Sequence, residues 1–344
     1  MKPIMRPILQ TVVVFIIIAG MTPCLGQGYK KLGVAGMKFL DIDANVRSAA
    51  MGGASSGLLD GAASMFQNPA GLVDIAGFGF SAGSNNWIAD INQHCLGAAI
   101  NLNKVGLGLI GGVLGASLRY MDNGDMIRTD YMHGEEGSYY EYPDPYRIEE
   151  WAAGLAYARR ITDNFLFGGH VKYVVQDFGT VMVYDDIAQD TIPAANRLTP
   201  LALDVGTIFY TGVGDLRIAM VYRNFAEEVI YVRDKFELPI ALQIGATMTV
   251  FRSGSGSHSL LMAADLTHPR DYAERINLGF EYRFGGFALR AGYKYDLRFQ
   301  RGHDEEGLSA GIGLNLGSLL RLDYAYTMFG VFGSVQRFSI AFSS

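Results

Sequence analysis

From about Phe78 onward the chain repeats one pattern: ten to fifteen residues with an apolar side chain at every second place, then a turn. Segment 287–297 shows it most clearly. Phe287, Leu289, Ala291, Tyr293, Tyr295 and Leu297 fall on one face, and Arg290, Gly292, Lys294 and Asp296 on the other. Successive side chains of an extended chain point to opposite sides, so this is a strand with one apolar and one charged face. Its neighbour repeats the arrangement. Ile276, Leu278, Phe280, Tyr282 and Phe284 alternate with Arg275, Asn277, Glu281 and Arg283.

Fourteen such stretches are predicted, at 76–85, 92–102, 105–120, 148–161, 164–178, 198–211, 214–225, 237–250, 258–268, 273–284, 287–299, 306–316, 318–329 and 333–343. Many exceed the five or six residues of an ordinary globular strand. They match the ~9–11 residues that a tilted strand needs to cross a bilayer. The connections sort by parity. Every second one is tight: Asn103, Thr162-Asp163, Gly212 to Gly214, Arg252 to Gly256, Gly285-Gly286 and Gly317. The alternate set holds the long ones: Met121 to Arg147, Gly179 to Arg197, Ala226 to Phe236 and Gln300 to Glu305. Outer-membrane barrels keep short turns on the periplasmic side and long loops outside. A soluble sandwich has no reason to sort its loops this way. The pattern therefore predicts an all-β, antiparallel up-and-down transmembrane barrel of about fourteen strands over 76–344. Gly108 to Gly112 also fits a helix-packing motif, but the stretch is too short for a membrane helix, and a Gly-rich strand is the reading carried forward.

Composition agrees with a lipid-facing β-protein. Hydrophobic residues are 49% and charged residues only 18%, with 43 Gly, 19 Tyr and 20 Phe against 2 Trp. No apolar run reaches the roughly 18 residues of a membrane-spanning helix. Residues 1–26 read as a secretory signal: Lys2 and Arg6, then an apolar run from Ile8 to Ala19, then small residues up to Gly26. Cleavage there removes Cys24 and leaves Cys95 without an intrachain partner; Pro23 makes Cys24 a poor lipidation site. The net charge of −6 becomes −8 without Lys2 and Arg6, which argues against a nucleic-acid partner.

Between signal and barrel, residues 27–75 are rich in small residues. The segment includes Leu40 to Gly57 (LDIDANVRSAAMGGASSG) and Asp60 to Leu72 (DGAASMFQNPAGL). A fourteen-stranded lumen is wider than side chains alone can fill. Gly279, Gly292, Gly311 and Gly313 on the inward face do not close it. Segment 37–72 is therefore expected to fold inward from the short-turn side as a plug, with the Asn68–Pro69 turn setting its exit to the first strand. Arg47 and Asp60 are candidates to pair with lumen charges, and Gly52 and Gly53 allow close backbone approach. The lumen charges expected are Arg217, Arg275, Glu281, Arg283, Arg290, Lys294, Asp296, Arg321 and Asp323. Gly279, on that face, is expected to accept Ser at little cost.

These two segments, with Asn86 to Asp90 (NWIAD) and Tyr157 to Asp163 (YARRITD), resemble the PorV/PorQ family of outer-membrane proteins. That family is similar in turn to FadL-type channels, whose N-terminal hatch also carries an Asn-Pro-Ala. The match spans the mature chain and is tight only over 36–90. It marks Arg47, Gly52, Gly53, Asp60, Asn68, Pro69 and Ala70 as the hatch motif. It departs at Leu59-Asp60-Gly61, where an acid pair is usual, and at the two serines that follow Phe342. The resemblance implies passage or binding of hydrophobic or amphipathic small molecules. Alternatively it implies a type IX secretion component that escorts or docks secreted cargo.

Enzyme chemistry is not legible. His94, His133, His170, His258, His268 and His303 form no metal-ligand spacing, and no nucleophile elbow, phosphate loop or dinucleotide fingerprint occurs. His170 shares a strand face with Lys172 and reads as a solvated lumen residue. Asp122, Asp125 and Asp130 read as solvated loop acids. No cofactor is expected. The expected partners are outer-membrane lipid, the barrel-assembly machinery, and either a hydrophobic small molecule or secreted protein cargo. The tyrosines of 121–147 suit partner binding and a membrane boundary equally.

Overall fold

A computed structural model describes residues 34–344, apart from 107–110, 128, 132–138, 142–145, 186–189, 232–233, 298–306 and 318. The signal region expected at 1–26 lies outside the described residues. No helix among the described residues is long and apolar enough to cross a membrane, which leaves a crossing by strands open.

Fourteen antiparallel strands close on themselves. They are β1 Phe78–Asn86, β2 Asn92–Asn101, β3 Val113–Asp122, β4 Glu149–Thr162, β5 Phe165–Asp185, β6 Leu201–Tyr210, β7 Arg217–Phe225, β8 Ala241–Arg252, β9 His258–Pro269, β10 Arg275–Phe284, β11 Phe287–Asp296, β12 Leu308–Leu316, β13 Leu320–Met328 and β14 Ser334–Ser343. Each pairs with the next in sequence. β14 returns to β1 in a register running from Gly79 opposite Ser343 to Asn86 opposite Gln336. Closure leaves no free edge, the condition under which a sheet can span lipid. Above the barrel, the outer part of β5 pairs with Asp190–Leu198. Two short hairpins, Thr129–Tyr131 with Tyr139–Glu141 and Val229–Tyr231 with Asp234–Phe236, lie in other long connections.

Side chains follow the predicted alternation. Phe280, Leu289, Tyr293 and Tyr295 are exposed on the outer wall, while Glu281, Arg290 and Asp323 are buried inside. Tyr120 stands opposite Trp151, whose ring lies 5.9 Å from that of Tyr173, an aromatic band near the long-loop end. Such bands sit at the membrane–water boundary. One boundary differs. The stretch expected at 105–120 is a strand only from Val113. Residues 102–106 turn and residues 111–112, with Gly111 and Gly112 at φ 64° and 79°, lie outside a strand, where only a tight turn at Asn103 was expected. The left-handed glycines interrupt the extended path, so this connection is the exception among the short ones.

The segment before β1 lies inside the barrel but runs in an unexpected direction. Its beginning is at the outer, long-loop end. Gly36 N donates to Glu237 O at 3.0 Å, Lys38 pairs with Asp271 at 2.8 Å, and Phe39 and Leu40 pack with Met121, Ala152 and Leu238. The chain then descends through the lumen as short helical turns. It leaves at the inner end, where Asn101 Nδ2 donates to Ile75 O at 2.9 Å. The plug therefore threads the whole barrel rather than folding up from the short-turn side; parity places only the start of β1.

Two outcomes test the wall and its orientation. Phe280→Arg should cost about 2–4 kcal/mol in urea unfolding from liposomes, as a charge placed near the midplane does. Val331, 93% exposed in the β13–β14 connection, should as Val331→Cys react with a membrane-impermeant maleimide on intact cells. Gly254→Cys, at the opposite end, should react only after the membrane is opened, and the reverse order would invert the barrel.

Candidate functional site

The plugged lumen holds the unusual chemistry of this chain. Val46–Ala50 is a single helical turn capped by Asn45, whose side chain accepts from the backbone N–H groups of Arg47 and Ser48. The cap aims Arg47 at the wall. Arg47 grips Glu281 of β10 with two bonds, Nε to Oε2 at 2.7 Å and Nη2 to Oε1 at 2.8 Å. Glu281 also accepts Arg290 Nε of β11 at 2.7 Å. Arg290 Nη1 reaches Asp323 of β13 at 2.7 Å, and Asp323 accepts Arg321 Nε at 2.7 Å. Arg321 Nη1 reaches plug residue Asp60 at 2.7 Å, and Asp60 returns to Arg47 Nη1 at 3.0 Å. Three arginines and three carboxylates thus alternate in a closed ring, with Arg283 as a fourth cation on Glu281 at 2.8 Å.

Three further contacts seat the plug. Asp265 of β9 accepts the backbone N–H groups of Ser55 and Ser56 at 2.7 and 2.9 Å, Ser56 Oγ at 2.7 Å and Gln243 Nε2 at 2.6 Å. Asn68 caps the helical turn Pro69–Asp74 by accepting from Ala70 N at 3.1 Å, and donates to Ser56 O and to Thr207 O of β6. Asn68–Pro69 is thus a wall anchor rather than the exit turn: the Pro69 backbone abuts Gly168, and the Asn68 side chain and Pro69 ring abut Gly206. Arg119 Nη1 holds the carbonyls of Phe39, Leu40 and Ile42 at 2.9, 2.7 and 3.2 Å. At the outer mouth, burial alone would raise the Asp41 carboxyl. Lys38, 3.2 Å away, with Arg275 and Arg223, holds it below the usual carboxylate range instead.

The wall glycines receive the plug backbone. A Cβ on Gly292 would lie 2.1 Å from Gly52 N, and one on Gly279 2.7 Å from Met51 O. Gly52, at φ 65°, sits where a side chain would be strained and would meet Tyr293 N at 2.6 Å. Ser at Gly279 is therefore not a mild change, contrary to the expectation from sequence: the lumen there is filled by plug backbone. Gly53 lies beside Asn277, and Gly311 against Ala50. Gly313 instead abuts the Arg290 guanidinium.

The structure gathers seven predicted residues in and around the ring: Arg47, Asp60, Glu281, Arg283, Arg290, Arg321 and Asp323. Arg275 and Asp296 pair separately at 3.0 Å, and Lys294 lines a cavity near the outer mouth. Arg217 is buried on β7, its Nε without a hydrogen-bond partner. His170 is not solvated. It is 1% exposed, with Nε2 2.8 Å from Ser117 Oγ and Nδ1 3.5 Å from Asp204, which also takes Lys172 at 2.7 Å. Asn224, left-handed at φ 58° beside a register shift of β7, donates its N–H to Asp204 at 2.7 Å. Among the inward polar residues that were missed are Arg119, Asp204 and Asp265. Each occupies an inward position of its strand, a signal the alternation already carried. Among the described residues, no group of three His, Cys, Asp or Glu gathers to hold a metal.

Four cavities between plug and wall measure about 10, 10, 40 and 10 Å³. The largest is polar, lined by Asp41, Asp43, Arg223, Gln243, Arg275 and Lys294 among others.

The family model described as type IX secretion system membrane protein PorP/SprF matches residues 144–331. No curated protein sequence matches. Among solved structures, the toluene transporter TodX of Pseudomonas putida aligns at 14% identity and TM-score 0.58, covering 91% of this chain and 98% of that one. The toluene transporter TbuX of Ralstonia pickettii aligns at 12% and 0.54, covering 87% and 96%. A Pseudomonas aeruginosa FadL homologue aligns at 12% and 0.50, covering 86% and 97%. These structural likenesses show the fold, a FadL-like barrel. The PorV/PorQ resemblance is tight over 36–90, outside the matched span.

Arg47→Ala should cost about 3–5 kcal/mol, because it strips a partner from two buried carboxylates. Gly292→Ala and Gly279→Ser should each lower the thermal unfolding midpoint clearly. Gly254→Ala, where nothing lies within 4 Å, should not. Equal midpoints for Gly292→Ala and Gly254→Ala would mean the plug does not press on β11.

Proposed function

The chain belongs to the PorP/SprF family of type IX secretion system membrane proteins, and on that premise we propose that it is a plugged, non-conducting barrel of that system. In this reading it engages secreted protein at its outer face instead of passing solute through its lumen. The observation that carries the proposal is the closed ion ring between plug and wall, together with the smallness of the cavities around it. The four measure 10–40 Å³. An apolar cavity that takes benzene is on the order of 150 Å³, and one of about 10–15 Å³ holds a single water. The FadL-like fold favours a hydrophobic-molecule channel, but such a path needs the plug to move, and moving it breaks buried ion pairs. The tight opening motif at 36–72 supports placing the chain near PorV/PorQ among barrels of this kind. The reading assigns it no catalytic step.

The intact protein should show little steady conductance in a planar bilayer. Deleting its gene should leave type IX cargo in the periplasm, read by blotting periplasmic and surface fractions, and should leave growth on hydrophobic carbon sources unchanged. Porin-like conductance, or normal cargo display with lost hydrocarbon uptake, would reverse the proposal in favour of the channel.

A further inference from the structure

The outer mouth carries a surface that lipid does not cover. Along β3, β4 and β5 the aromatic band of Tyr120, Trp151 and Tyr173 marks the lipid boundary. Asp122, Glu149 and Asp177 follow on the same outward faces, in register with one another. Beyond them the connections meet over the mouth. Met126 and Tyr146 exchange backbone hydrogen bonds at 2.8 Å, and Tyr146 Oη donates to Phe178 O. The Phe178 ring lies 5.7 Å from that of Tyr231. This links Ile127, 65% exposed, to Ile230, 59% exposed, through a run of partly buried aromatic rings. Contiguous exposed apolar surface beyond the lipid boundary marks a docking site in a membrane protein as it does in a soluble one.

The rim of this patch is acidic. Asp125 pairs with Arg147, Glu228 with Lys235 and Asp177 with Arg197. Asp122, Glu149 and Glu227 have no salt bridge among the described residues; the first two lie in sequence just before Met126 and just after Tyr146, and the third just before Ile230. Asp122 and Glu149 stand directly opposite across β3 and β4, a like-charge pairing that a cation relieves, as Arg147 does in part for Asp122. We propose that this mouth docks a protein segment whose aliphatic or aromatic residues are flanked by lysine or arginine. The acids repel a nucleic acid and a second copy of the same face, and the position above the aromatic band removes lipid as occupant. The inference rests on the secretion reading above and names the chemistry of the partner that reading requires.

The probe is a fluorescent synthetic peptide alternating leucine and lysine, with a leucine–glutamate counterpart, titrated against the full-length protein in lipid nanodiscs. The wild type should bind the lysine peptide, more weakly as salt rises, and ignore the glutamate peptide. The surface pairs Ile127→Ser with Ile230→Ser, and Glu149→Gln with Glu227→Gln, should each weaken binding about ten-fold. Equal binding by wild type and both variants, or by empty nanodiscs, overturns the docking surface. In cells, a deletion strain carrying either variant should display less type IX cargo than one carrying the wild type. A deletion that leaves cargo display intact removes the secretion reading itself. A deletion that abolishes display while both variants restore it fully overturns only the docking surface.

Discussion

A closed ring of six charges, Arg47, Glu281, Arg290, Asp323 and Asp60 buried and Arg321 partly so, joins the plug to three wall strands, and the rest of the lumen is arranged around it. Taking such charges out of water is costly, and mutual attraction compensates only when the geometry is good and every group has a partner. Here each carboxylate meets at least two cations and each ring arginine two carboxylates. The ring itself is neutral, and Arg283 adds a cation to Glu281 from a half-exposed position. Its value to the fold is position: the ring is satisfied only when the Arg47 turn stands at one height against β10, β11 and β13.

That height is also the one the wall's shape accepts. Gly279 and Gly292 open a groove into which Met51 and Gly52 press backbone to backbone. On the far side Gly168 and Gly206 leave room for Asn68 and Pro69. Asp265 receives two plug N–H groups without a countercharge, so hydrogen bonds alone offset its burial. Shape and charge therefore select the same seat. The four cavities described between plug and wall, at about 10–40 Å³, are of a size for water.

The lumen is occupied from end to end, while the wall is that of a transmembrane barrel. The outer face faces lipid along the fourteen strands, and the long connections gather at one end. The beginning of the plug is tied there by Lys38 to Asp271 and by Gly36 to the connection before β8. The interior thus supports the surface that the outer connections build, the surface on which the proposed docking depends.

Strand number, the identity of the lumen-facing charges and the sorting of connections were legible in the chain, because a pleated strand reveals its two faces at a period of two and a barrel's ends differ in loop length. Arg47 and Asp60 stood out for the same reason: charges in a segment of small residues have to be answered by something. What alternation does not encode is register across the barrel. Arg47 meets Glu281 across 234 positions, and a one-strand slip would present another residue. Only the closed sheet decided that these charges form a ring, that His170 turns to Ser117 and Asp204, and that the lumen glycines receive backbone. It also decided the direction of the plug. Parity locates the start of β1 at the inner end, but a segment long enough to cross the lumen can begin at either end, and the partners waiting at the outer mouth settle which.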